Sequence, residues 1–315
     1  AIRRQRQMCI RDSTPTAQKE YAEVQALARN EEGEGFNLMP WDWSYYSQKL
    51  KDRKFSINDE MLRPYFELSK VKEGVFGLAS KLYGITFKKN PGIPVYHKDV
   101  EAYEVFDKDG TYLAVLYTDF HPRAGKRSGA WMTSYKGQWI DEKSGENSRP
   151  HVSIVMNFTK PTQNKPALLT FDEVETFLHE FGHSLHGMLS QCTYNSTGGT
   201  NVYRDFVELP SQIMENWALE KEWLDTWAVH YQTGEKIPQE YITKIHEAAN
   251  FQSGYQNDRQ LSFGLVDMAW HSVTSPVNGS IQAFENQAMA PTESFPPVDS
   301  SCFSTGFGHI FGGGY

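Results

Sequence analysis

His179-Glu180-Phe-Gly-His183 sets two imidazoles and a carboxylate in the order His-Glu-x-x-His. On an α-helix, positions i and i+4 lie one turn apart on the same face, so His179 and His183 can aim at one cation. Glu180 projects from the neighbouring part of that surface, within reach of a water on the cation and poorly placed to be a ligand itself. This combination suits hydrolysis, with a cation for Lewis acidity and a carboxylate to take a proton.

The surrounding residues predict a buried helix. Thr170 and Glu173 have the spacing of a capping box, and Val174, Phe177, Leu178, Phe181, Leu185 and Leu189 recur at the helical period. Two imidazoles and a carboxylate are costly on so apolar a helix unless something compensates them, and a metal ion does so better than a self-satisfied polar cluster.

Catalytic zinc takes three protein ligands and keeps a fourth position open. The extended His-Glu-x-x-His-x-x-Gly-x-x-His pattern would need Gly at 186 and His at 189, where this chain has His186 and Leu189. The third ligand is therefore sought further along. In Asp205-Phe-Val-Glu208-Leu-Pro-Ser-Gln-Ile-Met-Glu215, the acids Glu208 and Glu215 stand among apolar neighbours, as expected of groups that want a cation. Spacing alone leaves both open.

The whole chain narrows the choice of class. Its 315 residues, 39% apolar and 14% aromatic, suffice for one large domain or two modest ones. A net charge of −8, with no basic run beyond the first residues, argues against a nucleic-acid surface. Three cysteines, at positions 9, 192 and 302, lack C-x-x-C spacing and predict neither a disulfide framework nor a cysteine metal site. No apolar run approaches the length of a membrane span, so no membrane partner is expected. The expected location is cytoplasmic, or periplasmic if the protein's start carries an export signal.

Along the chain, residues 1–13 are basic and read as a non-native leader, leaving 14–315 as a partial catalytic domain. Helices are predicted over 14–30, about 41–51, 58–69, 70–83, 204–223, 239–252 and 256–274. Strands 101–106 and 112–118 flank Asp107-Lys-Asp-Gly110 as a hairpin, and 151–158 reads as a third strand. Residues 120–149, rich in Gly, Lys, Arg and Ser, read as a long surface loop. A free strand edge beside the motif would suit an extended peptide.

Three segments carry a resemblance: Leu178-His-Glu-Phe-Gly-His183, Gly199-Thr-Asn-Val-Tyr-Arg-Asp-Phe-Val-Glu-Leu-Pro-Ser-Gln212, and Gly308-His-Ile-Phe-Gly-Gly-Gly-Tyr315. Together they resemble the thimet oligopeptidase family of zinc peptidases. The runs Tyr103-Glu-Val-Phe-Asp107 and Tyr117 to Met132 are more similar to its bacterial peptidyl-dipeptidase branch than to its endopeptidases. The resemblance implies a mainly α-helical, zincin-like catalytic domain with a small embedded β-sheet. It implies one Zn2+ per chain and short peptides as substrates, with dipeptides released from the C-terminus or, alternatively, internal bonds cut; a rival of another class is a zinc-binding but inactive module, against which the intact Glu180 speaks.

It also implies roles for individual residues. Glu208 would be the third ligand beside His179 and His183, and Glu180 the catalytic base. Glu175 and Glu215 would stand behind the ligands, and Glu175, one turn before His179, fits a carboxylate that fixes an imidazole tautomer. His309 and Tyr315 would contact substrate, while a second family Tyr would fall after residue 315. Family members are much longer, and their helical N-terminal part forms the other wall of a deep channel.

Overall fold

Alternating and continuous apolar runs build the sheet on which the motif helix rests. The computed structural model describes residues 2–312, with side chains from residue 12 onward. The strands are Thr86–Lys89 (β1), Glu101–Phe106 (β2), Tyr112–Asp119 (β3), Trp131–Lys136 (β4), Trp139–Ile140 (β5), Asn147–Ser148 (β6) and His151–Val155 (β7). Five of them form one sheet in the order β1-β2-β3-β7-β4, while β5 and β6 pair separately. β2 and β3 make the predicted hairpin, with Gly110 at positive φ in its turn. β7 runs parallel to β3 and antiparallel to β4, so β4 is an edge strand.

The motif helix, Phe171–Met188, lies on this sheet. Val174, Phe177, Leu178, Phe181 and Leu185 are buried with Leu116, Val152 and Ile154 of the strands. The helix comes close to the strands at Gly187, where an added Cβ would come within 2.8 Å of Met132 and 3.1 Å of Val152. These elements belong to a unit of residues 58–246.

Several expected boundaries move. The helix predicted over 58–69 is only Asp59–Leu62 followed by the 3-10 turn Arg63–Tyr65, because Pro64 cannot donate to a continuing helix. The surface loop predicted over 120–149 contains β4, β5 and β6; its Gly and Lys residues hide the β-favouring run Trp131-Met-Thr-Ser-Tyr135. The third strand ends at Val155 rather than 158, and β1 has no counterpart among the sequence-based expectations. The long helix predicted over 204–223 is broken into Arg204–Val207, Leu209–Glu215, the 3-10 turn Asn216–Leu219, and Lys221–Leu224. Pro210 lies at the first break.

At the start of β2, burial alone would raise the carboxyl of Glu101. Hydrogen bonds from Lys72, Lys89 and Tyr103 outweigh that and bring it down to about 2. A carboxylate depressed on folding contributes stability that is complete above its unfolded value and is lost as pH falls through the folded one. Glu101→Gln is therefore expected to lose less stability than the parent between about pH 5 and 2 in urea unfolding. An equal loss in both proteins would remove Glu101 from the acid response.

The second unit joins residues 1–57 to 247–315. Its long helix Ile2–Glu32 runs through Pro15, and the side chains of the leader proposed for residues 1–13 lie outside the described residues through residue 11. Val24, Leu27, Ala28, Leu38, Trp43 and Tyr46 form its core, with Tyr21, Tyr255 and Phe295 packed against it. The Trp43 and Tyr255 rings approach to 4.1 Å between centroids. Helix Trp43–Phe55 extends a turn beyond the expected end, and Ile281–Met289 adds a helix that was not anticipated. Helices Gln239–Ala248 and Ser253–His271 appear as expected within a few residues, the first of them straddling the boundary between the units.

Candidate metal centre

Both halves of the predicted capping box are present. Glu173 N donates to Thr170 Oγ1 at 3.1 Å, and Thr170 N donates to Glu173 Oε2 at 2.8 Å. Such a cap contributes about 1 kcal/mol and fixes where the helix starts, and hence the phase of every side chain that follows. His179 and His183 project from successive turns, with ring centroids 4.9 Å apart and planes at 86°.

Glu208 reaches them from the junction between Arg204–Val207 and Leu209–Glu215. Its Oε2 lies 3.2 Å from His179 Nε2 and 3.1 Å from His183 Nε2. Three donors bound tetrahedrally to one zinc at about 2.0–2.1 Å would be roughly 3.3 Å apart, which matches these separations. These three residues form a group able to hold a metal ion, with their ligand atoms within 4.8 Å of one another.

Protonation strengthens the fit. Glu215 Oε1 lies 2.6 Å from His179 Nδ1, so that nitrogen carries the proton and donates it to the carboxylate. In the neutral ring, Nε2 then turns a lone pair toward Glu208 Oε2, a repulsive contact that a cation between them converts to attraction. Burial lowers the pKa of His183 against the opposing pull of Glu208, favouring the neutral imidazole that binds metals.

Glu180 is 7% exposed, and its Oε2 has no hydrogen-bond partner. Burial pushes its carboxyl up to about 7, with His179 opposing and Glu208 adding to the rise. A carboxyl poised near neutrality is suited to accept and return a proton.

Glu208 owes its place to the close crossing of the motif helix and the Leu209–Glu215 helix. A Cβ on Gly182 would fall 2.6 Å from both Pro210 O and Ser211 Cα, so only glycine permits this approach. Ser211 Oγ also donates to Glu208 Oε2 at 2.9 Å. Gly182 was not singled out from the sequence, although a glycine inside an apolar helix is itself a signal of close backbone approach.

The pocket around the cluster is lined by Ala130, Trp131 and Met132 at the start of β4, by Thr200 and Val207, and by His179, Glu180, His183 and Glu208. The β4 wall was missed because it lay within the predicted loop. Glu175 is half-buried one turn before His179, while Glu215 occupies the Nδ1 side of that ring. In the other unit, His309 is exposed in the turn Gly308–Ile310, its ring 5.4 Å from that of Phe307. Tyr315 lies outside the described residues.

Comparison with known proteins places the chain in a family. Residues 7–315 match Peptidase family M3. The chain is 40% identical over 97% of its length to a dipeptidyl carboxypeptidase of Escherichia coli (strain K12), of which it covers 45%. It is 40% identical over 96% of its length to oligopeptidase A of the same organism, of which it covers 44%. An organellar oligopeptidase A of Arabidopsis thaliana is 38% identical over 96% of this chain, which spans 39% of that protein. The chain thus spans less than half the length of the curated relatives it matches. With the family's model matching residues 7–315, nearly the whole length, this chain belongs to peptidase family M3.

Proposed function

We propose that residues 14–315 form part of the catalytic domain of a zinc peptidase that hydrolyses short peptides and releases dipeptides from their C-termini. The observation that carries this reading is the convergence of two imidazole Nε2 atoms and one carboxylate oxygen beside a buried Glu180 whose Oε2 has no hydrogen-bond partner. A His2Glu donor set is typical of catalytic zinc, and the ion would supply Lewis acidity to a water and to a peptide carbonyl.

The chain's own residues do the rest. His179, His183 and Glu208 hold the ion, and Glu215 fixes the His179 tautomer and raises its basicity. By the family resemblance, Glu175, half-buried one turn before His179, stands behind the ligands. Glu180 accepts the proton of the attacking water and passes it to the leaving amine, using its raised pKa in both directions. The outer edge of β4, unpaired among the described residues, offers main-chain groups to an extended peptide beside the cluster. By the family resemblance, His309 and Tyr315 contact the bound peptide. No helix among the described residues is long and apolar enough to cross a membrane.

The oligopeptidase A relatives, as similar to this chain as the dipeptidyl carboxypeptidases, favour a second reading as an oligoendopeptidase. Cleavage of a short peptide with a free C-terminus and of its C-amidated twin separates the two. Loss of cleavage on amidation supports the peptidyl-dipeptidase, equal cleavage supports the endopeptidase, and no zinc-dependent cleavage of either by the zinc-loaded protein contradicts both.

The same reading predicts the consequence of crowding the helix crossing. Gly182→Ala is expected to cost about 1–3 kcal/mol in stability by overpacking. By displacing Glu208 it should also weaken zinc binding about tenfold or more, as measured by competition with a chelating dye. Unchanged zinc affinity would mean that the crossing does not govern where Glu208 stands.

A further inference from the structure

The connection between β3 and β4, residues 120–130, carries a buried cation whose use the mechanism above leaves unexplained. The Lys126 side chain is 2% exposed, and its Nζ donates to Asp119 Oδ1 at 2.9 Å, Asp119 O at 3.0 Å, His121 O at 2.8 Å and Met156 O. One ammonium therefore ties the end of β3 and the stretch after β7 to the middle of this connection. Arg123 also grips Asp119 through both carboxylate oxygens, at 2.8 and 2.9 Å, and Tyr96 donates to Oδ2 at 2.9 Å. Closer to β4, Asn157 Nδ2 donates to Arg127 O at 2.9 Å and Gly129 O at 2.7 Å.

Fixing eleven residues without a regular backbone ladder costs conformational entropy, and a fully satisfied buried ammonium is an expensive way to meet that cost. What the connection delivers is the start of β4, where Ala130, Trp131 and Met132 stand beside His179 and Glu208. Among the described residues, no strand pairs with the outer edge of β4.

We infer that Lys126 is a positioning residue for peptide binding. It locks the 120–130 connection so that Ala130 to Met132 form a fixed wall and the edge of β4 is preorganised for an extended peptide. Preorganisation lowers the ordering cost of binding, so losing the lock weakens binding before it alters the chemical step. The inference rests on the peptidase reading, and its test separates the two.

Lys126→Met and Asn157→Ala undo the lock from opposite sides. The first leaves Asp119 neutralised by Arg123, and the second is a mild change at the surface, so the pair guards against a single misfolded variant. In the zinc-loaded chain, hydrogen exchange of amides 120–136 is expected to accelerate at least about tenfold in each variant. The motif helix stays protected and zinc affinity is unchanged. KM for a short peptide rises about tenfold with kcat within about twofold. In a Glu180→Gln background, where turnover is removed, the dissociation constant of the same peptide rises in parallel.

Exchange that is unchanged in 120–136, or faster everywhere alike, overturns the inference. So does a fall in kcat at constant KM, which reports lost folded protein rather than a displaced wall. A parent that binds peptide no better than its variants sinks this role alone. A parent that neither binds nor cleaves sinks the peptidase reading and this role with it.

Discussion

Replacing Glu180 with Gln is expected to lower peptide turnover by about 10³-fold while leaving zinc content and folding intact. The amide keeps the size and much of the polarity of the side chain but cannot take a proton from water at any pH near neutrality. Glu180 also lies outside the metal cluster, so the ligand atoms of His179, His183 and Glu208 remain where they are. Removing the buried carboxyl further removes a group that is costly to ionise, so stability is expected to hold or rise. Retained turnover at the parental rate would assign the base to another group.

The second large effect concerns Glu208 and Glu215, the two carboxylates that spacing could not separate. Glu208 faces both Nε2 atoms, whereas Glu215 faces only the Nδ1 of His179. Glu208→Ala removes one of the three residues proposed as ligands and is expected to lower zinc affinity by more than about 10²-fold, leaving the protein without metal at micromolar zinc. Glu215→Ala leaves the ligand count unchanged and loosens only ring orientation and basicity, so a loss of about 10- to 100-fold is expected. Equilibrium titration against a competing chelator ranks the two. A larger loss at Glu215 would reverse their assignment.

The site's helix was legible because every local signal in it agrees. Thr170 and Glu173 set its start, the apolar residues share one face, and the His pair follows from that phase. The other half of the site was legible only as a choice. Glu208 and Glu215 were weighed on one continuous helix, but the chain breaks at Glu208 and Pro210, so their directions no longer follow from a spacing of seven. What sends Glu208 toward the imidazoles is the close crossing at Gly182, a tertiary contact between segments far apart in sequence.

The β4 wall of the pocket was illegible for a related reason. Residues 120–130 have the composition of a loose loop, yet Lys126 and Asn157 hold them through hydrogen bonds between groups some 30 residues apart in sequence. Composition registers the absence of a backbone ladder; it does not register side chains that replace one. β4 follows directly from that hidden order.

Diffraction from zinc-loaded crystals of this chain, collected above and below the zinc absorption edge, tests the central claim most directly. A single strong anomalous peak is predicted, about 2.0–2.2 Å from His179 Nε2, His183 Nε2 and Glu208 Oε2. A cluster closed by direct His–Glu hydrogen bonds with no peak between them, or zinc bound elsewhere with Glu208 turned away, would contradict the account.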